Sequence, residues 1–255
     1  MKNISRFKTV IITGGTAGIG AAITDEFYKN DYYVLIGARH DNGLAKKLGP
    51  RARFKKMDVR RESDHRAIVK EAMKWTGRLD VYINCAGFSG WRPLKEVDET
   101  FWNTMIDTNL KGTFLGCKAA SQFLPRGGAI INISSLAGKR GSPNNSVYCA
   151  SKFGVTGLTQ SLAKELGIKK GIRVNAVCPV YIETDGVLKA LAGKWSPAKG
   201  KNMKAYIESF AVHNAALGRI PTAEEVAKTC VFLASQAASA ITGQSIIVDC
   251  GVFPQ

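Results

Sequence analysis

Thr9-Val10-Ile11-Ile12-Thr13-Gly14-Gly15-Thr16-Ala17-Gly18-Ile19-Gly20 passes from an apolar run into a glycine-rich turn and then into the amphipathic segment Gly18 to Lys29. Thr9 to Ile12 reads as a buried strand, and Gly18 to Lys29 reads as a helix. The glycines between them let a backbone approach a ligand closely. The helix start adds free N–H donors and the positive end of a dipole. A pyrophosphate suits that geometry, with Gly14, Thr16, Gly18, Ile19 and Gly20 as its contacts. The spacing is Gly-x-x-x-Gly-x-Gly rather than the more common Gly-x-Gly-x-x-Gly. Taken alone, an ordinary strand-to-helix turn explains it as well.

Outward from this stretch the chain keeps the same rhythm. Further strands are read at Tyr32–Ile36, Ala52–Met57, Leu79–Ile83, 129–133, Ile172–Val177 and Ser245–Val248. Helices are read at Glu62–Trp75, Asp98–Phe123, 147–166 and Glu224–Leu233, with a short helical piece after the second strand. Short apolar strands separated by helices imply a doubly wound parallel α/β sheet covered on both faces. Such sheets take ligands at the carboxyl ends of their strands, at the switch point. Residues 1–255 are expected to form a single domain. One region breaks the pattern. From Glu183 to Gly218 the chain is rich in Lys and Gly, with Trp195, Tyr206 and Phe210 interspersed. An insertion there is either a binding loop or a mobile lid over a substrate.

Apolar residues make up 45% and charged residues 22%, an ordinary balance for a globular protein. No apolar run reaches the 18 residues that a membrane span requires. The basic start, Met1 to Lys8, leads into the first strand and does not read as a signal peptide. The six cysteines (85, 117, 149, 178, 230 and 250) are scattered, with no metal-ligand spacing, so no metal is expected. Buried thiols in a reducing cytoplasm are the economical reading. The net charge of +16 is high, but its basic residues are dispersed and form no uninterrupted tail. That weighs against nucleic acid as a partner and fits a general surface property, partly directed at a phosphate.

Candidate site residues fall at strand ends. After the second strand stand Gly37-Ala38-Arg39, where an acidic residue commonly meets a free ribose 2′-hydroxyl. Arg39 instead matches a phosphate in charge and fork geometry, which favours NADP(H), with NAD(H) as the alternative. Asp58-Val59 closes the third strand and caps either an adenine pocket or the next helix. Asn84-Cys85-Ala86-Gly87 closes the fourth, where small residues let the backbone lie against a nucleotide. Asn109, followed closely by Gly112, sits inside a helix that neither residue favours, so a local kink is expected. The apolar run Ala129 to Ile133 reads as a buried strand that delivers Ser135 at its C-terminal end. Tyr148 and Lys152 fall one turn apart on one helix face. An ammonium beside a phenol lowers its pKa and makes it a usable general acid or base.

Taken together, Thr13-Gly14-x-x-x-Gly18-x-Gly20, Asn84-x-Ala86-Gly87, Asn109, Ser135 and Tyr148-x-x-x-Lys152, in this order and spacing, resemble the short-chain dehydrogenase/reductase family over nearly the whole chain. The resemblance implies a Rossmann-type domain that assembles as a tetramer or dimer. It implies a catalytic set of Asn109, Ser135, Tyr148 and Lys152. Tyr148 would pass a proton to or from the substrate oxygen, and Ser135 would hydrogen-bond that oxygen. Lys152 would lower the Tyr148 pKa and hold the nicotinamide ribose, and Asn109 would support a water linked to Lys152. Pro179, Ile182 and Thr184 stand where the family's nicotinamide contacts fall. Two departures are visible. Pro179-Val180 replaces the family's Pro-Gly, and Asn84-Cys85 replaces its Asn-Asn.

The expected reaction is hydride transfer between NADP(H) and a carbonyl or secondary alcohol. Phe88 to Trp91, Leu136, Ala137, Val180, Tyr181 and the segment from Leu188 to Phe210 are expected to wall the substrate pocket. Gly218 to Ala227 is similar to both 3-oxoacyl-carrier-protein reductases and sugar or polyol dehydrogenases, and does not choose between them. The alternatives are a catalytically silent NADP(H)-binding regulator or scaffold, and a basic nucleic-acid binder on the same fold.

Overall fold

The computed structural model describes residues 7–254. The lead-in before Phe7, and both ends of the expected 1–255 domain, lie outside the described residues. Seven strands, β1 (Thr9–Thr13), β2 (Tyr33–Ala38), β3 (Ala52–Lys56), β4 (Val81–Asn84), β5 (Ala129–Ile133), β6 (Arg173–Pro179) and β7 (Ser245–Val248), form one sheet. Their order is β3-β2-β1-β4-β5-β6-β7 and every pairing is parallel. The order reverses between β1 and β4, which puts the switch point at the glycine-rich turn.

Strand alternation sends side chains to two cores. Val10, Ile12, Val34, Ile36, Val81 and Ile83 pack with Ile23 and Phe27 of α1 (Gly18–Lys29) and with Val226, Cys230 and Leu233 of α9 (Ala223–Ala234). Ile11, Leu35, Tyr82, Ile130 and Val174 point the other way. They meet Ile68 and Ala72 of α3 (Glu62–Thr76), Ala119 and Ala120 of α5 (Gly112–Ala120), and Ala163 and Leu166 of α6 (Ser146–Lys170). All of these residues lose nearly all contact with water. At about 25 cal/mol per Å² of apolar area, that burial is the main drive for the layered arrangement.

The structure refines two expectations. The single helix expected over Asp98–Phe123 is broken: α4 (Glu99–Ile106) is followed by a π-helical turn over Asp107–Lys111 and then by α5. The kink expected at Asn109 is this turn. The insertion after β6, expected as a binding loop or a mobile lid, is largely helical. It carries α7 (Asp185–Leu191) and α8 (Met203–Asn214), packed through Leu191, Ala198 and Ile207 against Trp91 and Tyr181.

Candidate active site

The carboxyl ends of β1, β2, β3 and β4 open into a groove of about 420 Å³, lined by Gly14, Thr16, Arg39, Asp58, Val59, Ala86 and Gly87 among others. Its floor is shaped by steric need. Gly14 has φ +69°, and a Cβ there would stand 2.7 Å from the Ala86 Cα. Only glycine lets β1 and β4 close this tightly. The Thr13 hydroxyl fixes the approach, accepting from the amides of Cys85 at 3.1 Å and Ala86 at 3.3 Å. A side chain on Gly20 would run into the Gly14 carbonyl. The N-cap of α1, Ala17, contributes no side-chain hydrogen bond to the helix start. The first-turn N–H groups therefore remain free for an anionic ligand. The cradle fits a dinucleotide pyrophosphate.

Arg39 is exposed at the outer end of the groove, and no carboxylate pairs with it among the described residues. Asp58 lies in the groove lining, where an adenine cap and a helix cap were both open readings. Arg60 grips its carboxylate with two nitrogens, at 2.6 Å to Oδ2 and 3.0 Å to Oδ1. That hydrogen bonding holds Asp58 well down, at about 2. Arg60 is a groove residue that the sequence reading missed, although Asp58-Val59-Arg60 is legible as a local ion pair.

The Asn84 side chain does not lie in the groove, against expectation. It is buried in the sheet, donating to Asn132 Oδ1 at 2.9 Å and facing Gly116 of α5. Asn84 shares a strand face with Tyr82, so alternation turns it toward α5. Ile182 is buried in the core shared with α1 and α9. Thr184 N-caps α7 and lies against Gly18, so it borders the glycine turn. Pro179 ends β6 and is itself buried in the strand.

Beside the groove lies a smaller cavity of about 130 Å³. Ser135 and Tyr148 enter it from one side. Trp91, Leu136, Val180, Tyr181, Val187 and Phe210 supply an apolar wall, and Arg140, Ser142 and Asn145 form a polar corner. Phe88 faces the nucleotide groove instead of this cavity, and Leu188 packs in the cluster under α7 and α8. Val180, the bulky departure from glycine, is therefore a cavity wall. Arg140 to Asn145 were overlooked because a polar turn has no hydrophobic period to mark it.

Burial pushes the Tyr148 phenol up to about 12, opposed by its hydrogen bond with the Ser135 hydroxyl. The Lys152 ammonium stands 5.8 Å from the Tyr148 ring centre and donates to the Ile133 carbonyl at 2.9 Å. Burial pulls the lysine down to about 8. Desolvation is the larger influence on the Tyr148 phenol, and the Ser135 hydrogen bond opposes it.

Asn109 is buried within the π-turn. Its Oδ1 accepts from the Phe88 amide at 3.1 Å, and its Nδ2 lies 2.9 Å from the Phe88 carbonyl and 3.1 Å from the Ser151 hydroxyl. The Asn109 backbone carbonyl accepts from the Thr113 hydroxyl at 2.8 Å. Ser151 in turn donates to the Tyr148 carbonyl at 2.7 Å. Through Ser151, these hydrogen bonds link Asn109 to the Tyr148 turn.

A doubly wound parallel sheet, with a pyrophosphate cradle at its switch point and a tyrosine–serine–lysine cluster beside it, defines the class of dinucleotide-dependent oxidoreductases. Residues 14–253 match a family described as enoyl-(acyl carrier protein) reductase. The chain is 35% identical to 3-oxoacyl-(acyl-carrier-protein) reductase of Chlamydia muridarum, over 96% of this chain and 97% of the relative. Among solved structures it is similar to a variant actinorhodin polyketide ketoreductase with NADPH, at TM-score 0.88 and 31% identity over 96% and 97% of the two chains. It is equally similar to a short-chain dehydrogenase/reductase of Brucella melitensis, at TM-score 0.88 and 29% identity over the full length of both. The chain belongs to the short-chain dehydrogenase/reductase family.

Proposed function

We propose that the protein reduces the ketone of 3-oxoacyl thioesters, using NADP(H). One observation carries this reading: the Ser135 and Tyr148 hydroxyls meet in a small apolar cavity directly beside the dinucleotide groove. Two hydroxyls directed at one oxygen suit a carbonyl becoming an alcohol. They offer nothing comparable to a carbon–carbon double bond, so the ketone is favoured over the enoyl substrate in the family's description. The name of the Chlamydia relative supports the thioester, and the apolar wall supports an acyl chain.

NADPH, when bound, supplies the hydride. Gly14, Thr16, Gly18, Ile19 and Gly20 would hold its pyrophosphate, and Arg39 its 2′-phosphate. Val59, Ala86 and Gly87 would line the nucleotide bed, while Pro179, Ile182 and Thr184 would border the nicotinamide end. Ser135 binds the ketone oxygen and Tyr148 donates the proton to it. Lys152 holds the ribose end, and Asn109 positions the Tyr148 turn. Val187 and Phe210 support residues 183–218 as the cover of the substrate cavity. We read residues 1–255 as one catalytic domain that is cytoplasmic, in keeping with six free thiols. Phe114 of α5 and Phe153 of α6, both about half exposed, support a homo-oligomer, as tetramer or dimer. No described helix is long and apolar enough to cross a membrane.

The test is a turnover panel of 3-oxoacyl N-acetylcysteamine thioesters and aldoses with NADPH and NADH. Consumption of NADPH on the thioesters is expected; turnover confined to aldoses overturns the substrate, and no turnover on any ketone favours a silent cofactor binder. Arg39→Asp is expected to weaken NADPH binding by roughly tenfold to a hundredfold, the worth of charge-assisted bonds to a phosphate. NADH binding should not weaken with it. Equal losses for both cofactors, measured by calorimetry, remove Arg39 from the phosphate.

A further inference from the structure

We infer that Asn145 selects substrates carrying a neutral hydrogen-bond donor close to the reacting ketone. That donor is either a hydroxyl on an adjacent carbon or an amide N–H along the arm of a thioester. The inference rests on the ketone-reductase reading and adds a substrate feature to it.

Asn145 lines the substrate cavity and is 5% exposed. It is the N-cap of α6, where an asparagine oxygen ordinarily accepts from the first-turn amides. Here the side chain makes no such bond. Its Nδ2 lies 3.2 Å from the Ser142 hydroxyl, and its backbone carbonyl accepts from Cys149 at 2.9 Å. Its Oδ1 has no hydrogen-bond partner, one of three such buried side-chain atoms among the described residues. The other two, on Asn84 and Ser245, do not belong to this cavity. A buried acceptor left unpaired is costly, and a ligand that supplies the donor removes that cost.

Position makes this acceptor selective. Asn145 precedes Tyr148 by three residues, so the two side chains stand roughly 5–6 Å apart on one helical turn. A substrate whose carbonyl oxygen meets Tyr148 therefore carries its next polar group past Asn145. The amide rotates about a terminal torsion that is broad and soft, so Oδ1 can turn to a donor in the cavity. Elsewhere the wall is mostly apolar, and Arg140 suits anions rather than neutral donors. A site built to accept one hydrogen bond discriminates strongly against an analogue that lacks the donor.

The test compares kcat/KM within two substrate pairs: 1-hydroxy-2-octanone against 2-octanone, and 3-oxooctanoyl N-acetylcysteamine thioester against 3-oxooctanoyl ethyl thioester. The wild-type protein is expected to prefer the donor-bearing member of one pair by about tenfold, and that pair identifies the source. Asn145→Leu is expected to abolish the preference, and Asn145→Asp, which keeps an acceptor, to retain it. Absence of any preference in the wild type overturns the inference. So does an equal loss on both members of each pair in Asn145→Leu, which marks a structural role only. Asn145→Ala carries the same expectation if the leucine variant does not fold. If no ketone is turned over, the ketone-reductase reading fails by itself. The same ratios are then read from dissociation constants by calorimetry, and equal affinities within both pairs overturn the role of Asn145.

Discussion

Tyr148→Phe is expected to lower kcat/KM for ketone reduction by about a hundredfold to ten-thousandfold, the usual weight of a positioned general acid. NADPH binding should survive, because the ring remains and only the hydroxyl is lost. With the phenol pushed up to about 12, Tyr148 is protonated throughout the neutral range. That state can give a proton to a developing alkoxide and is poorly suited to taking one from an alcohol. The two readouts are NADPH absorbance during turnover and calorimetric NADPH affinity. A variant that keeps near wild-type turnover would place the proton donor elsewhere. Lost turnover together with lost NADPH affinity would mean that the change damaged the groove.

Lys152→Met is expected to have two opposite effects. Reduction should fall by about a hundredfold or more, since the ammonium beside the reacting groups is gone. The ligand-free protein should nevertheless become more stable at pH 7. Lys152 is 6% exposed, and its hydrogen bond is to the Ile133 carbonyl rather than to a carboxylate. Burial lowers its pKa from 10.5 to about 8. The unfolded chain therefore holds this proton more tightly than the folded one. The resulting penalty is full below about pH 8, shrinks as pH rises from there, and is gone above the ordinary lysine value. Its size is roughly 3 kcal/mol at neutral pH. Removing a donor from the Ile133 carbonyl takes back about 1 kcal/mol. The net is about 2 kcal/mol, or roughly 5 °C in Tm. Thermal melts at pH 7 and pH 11 check this: the gain should be present at the first and absent at the second. A variant less stable than wild type at pH 7 would show that the lysine contributes more to packing than it costs in desolvation.

Much of this architecture was legible because its determinants are local. The strand Thr9–Thr13, the helix Gly18–Lys29 and the turn between them are each set by a few adjacent residues. Asn109 followed closely by Gly112 signalled a distortion for the same reason, and the π-turn is where it falls. The misreadings share another cause. Helices α7 and α8 have little sequence periodicity, and they pack through Leu191 and Ile207 against Tyr181 and against Trp91, which is distant in the chain. Asn84 was assigned to the groove from its place at a strand end, although its parity with Tyr82 turns it into the sheet. The balance of forces on Tyr148 required distances and depth, neither of which the i, i+4 spacing supplies. Asn145 was passed over because an unpartnered acceptor becomes visible only when its surroundings are known.

The grip of Asn109 on Phe88 has a consequence for the shape of the sheet. β4 ends at Asn84, yet the chain continues past it toward the open groove. Phe88 presents an N–H and a C=O there, as an edge strand would, and one asparagine amide answers both, at 3.1 and 2.9 Å. A single side chain thus imitates the neighbour that the sheet lacks. The mouth of the groove can stay open to a long ligand without an added strand or loop to quiet its backbone.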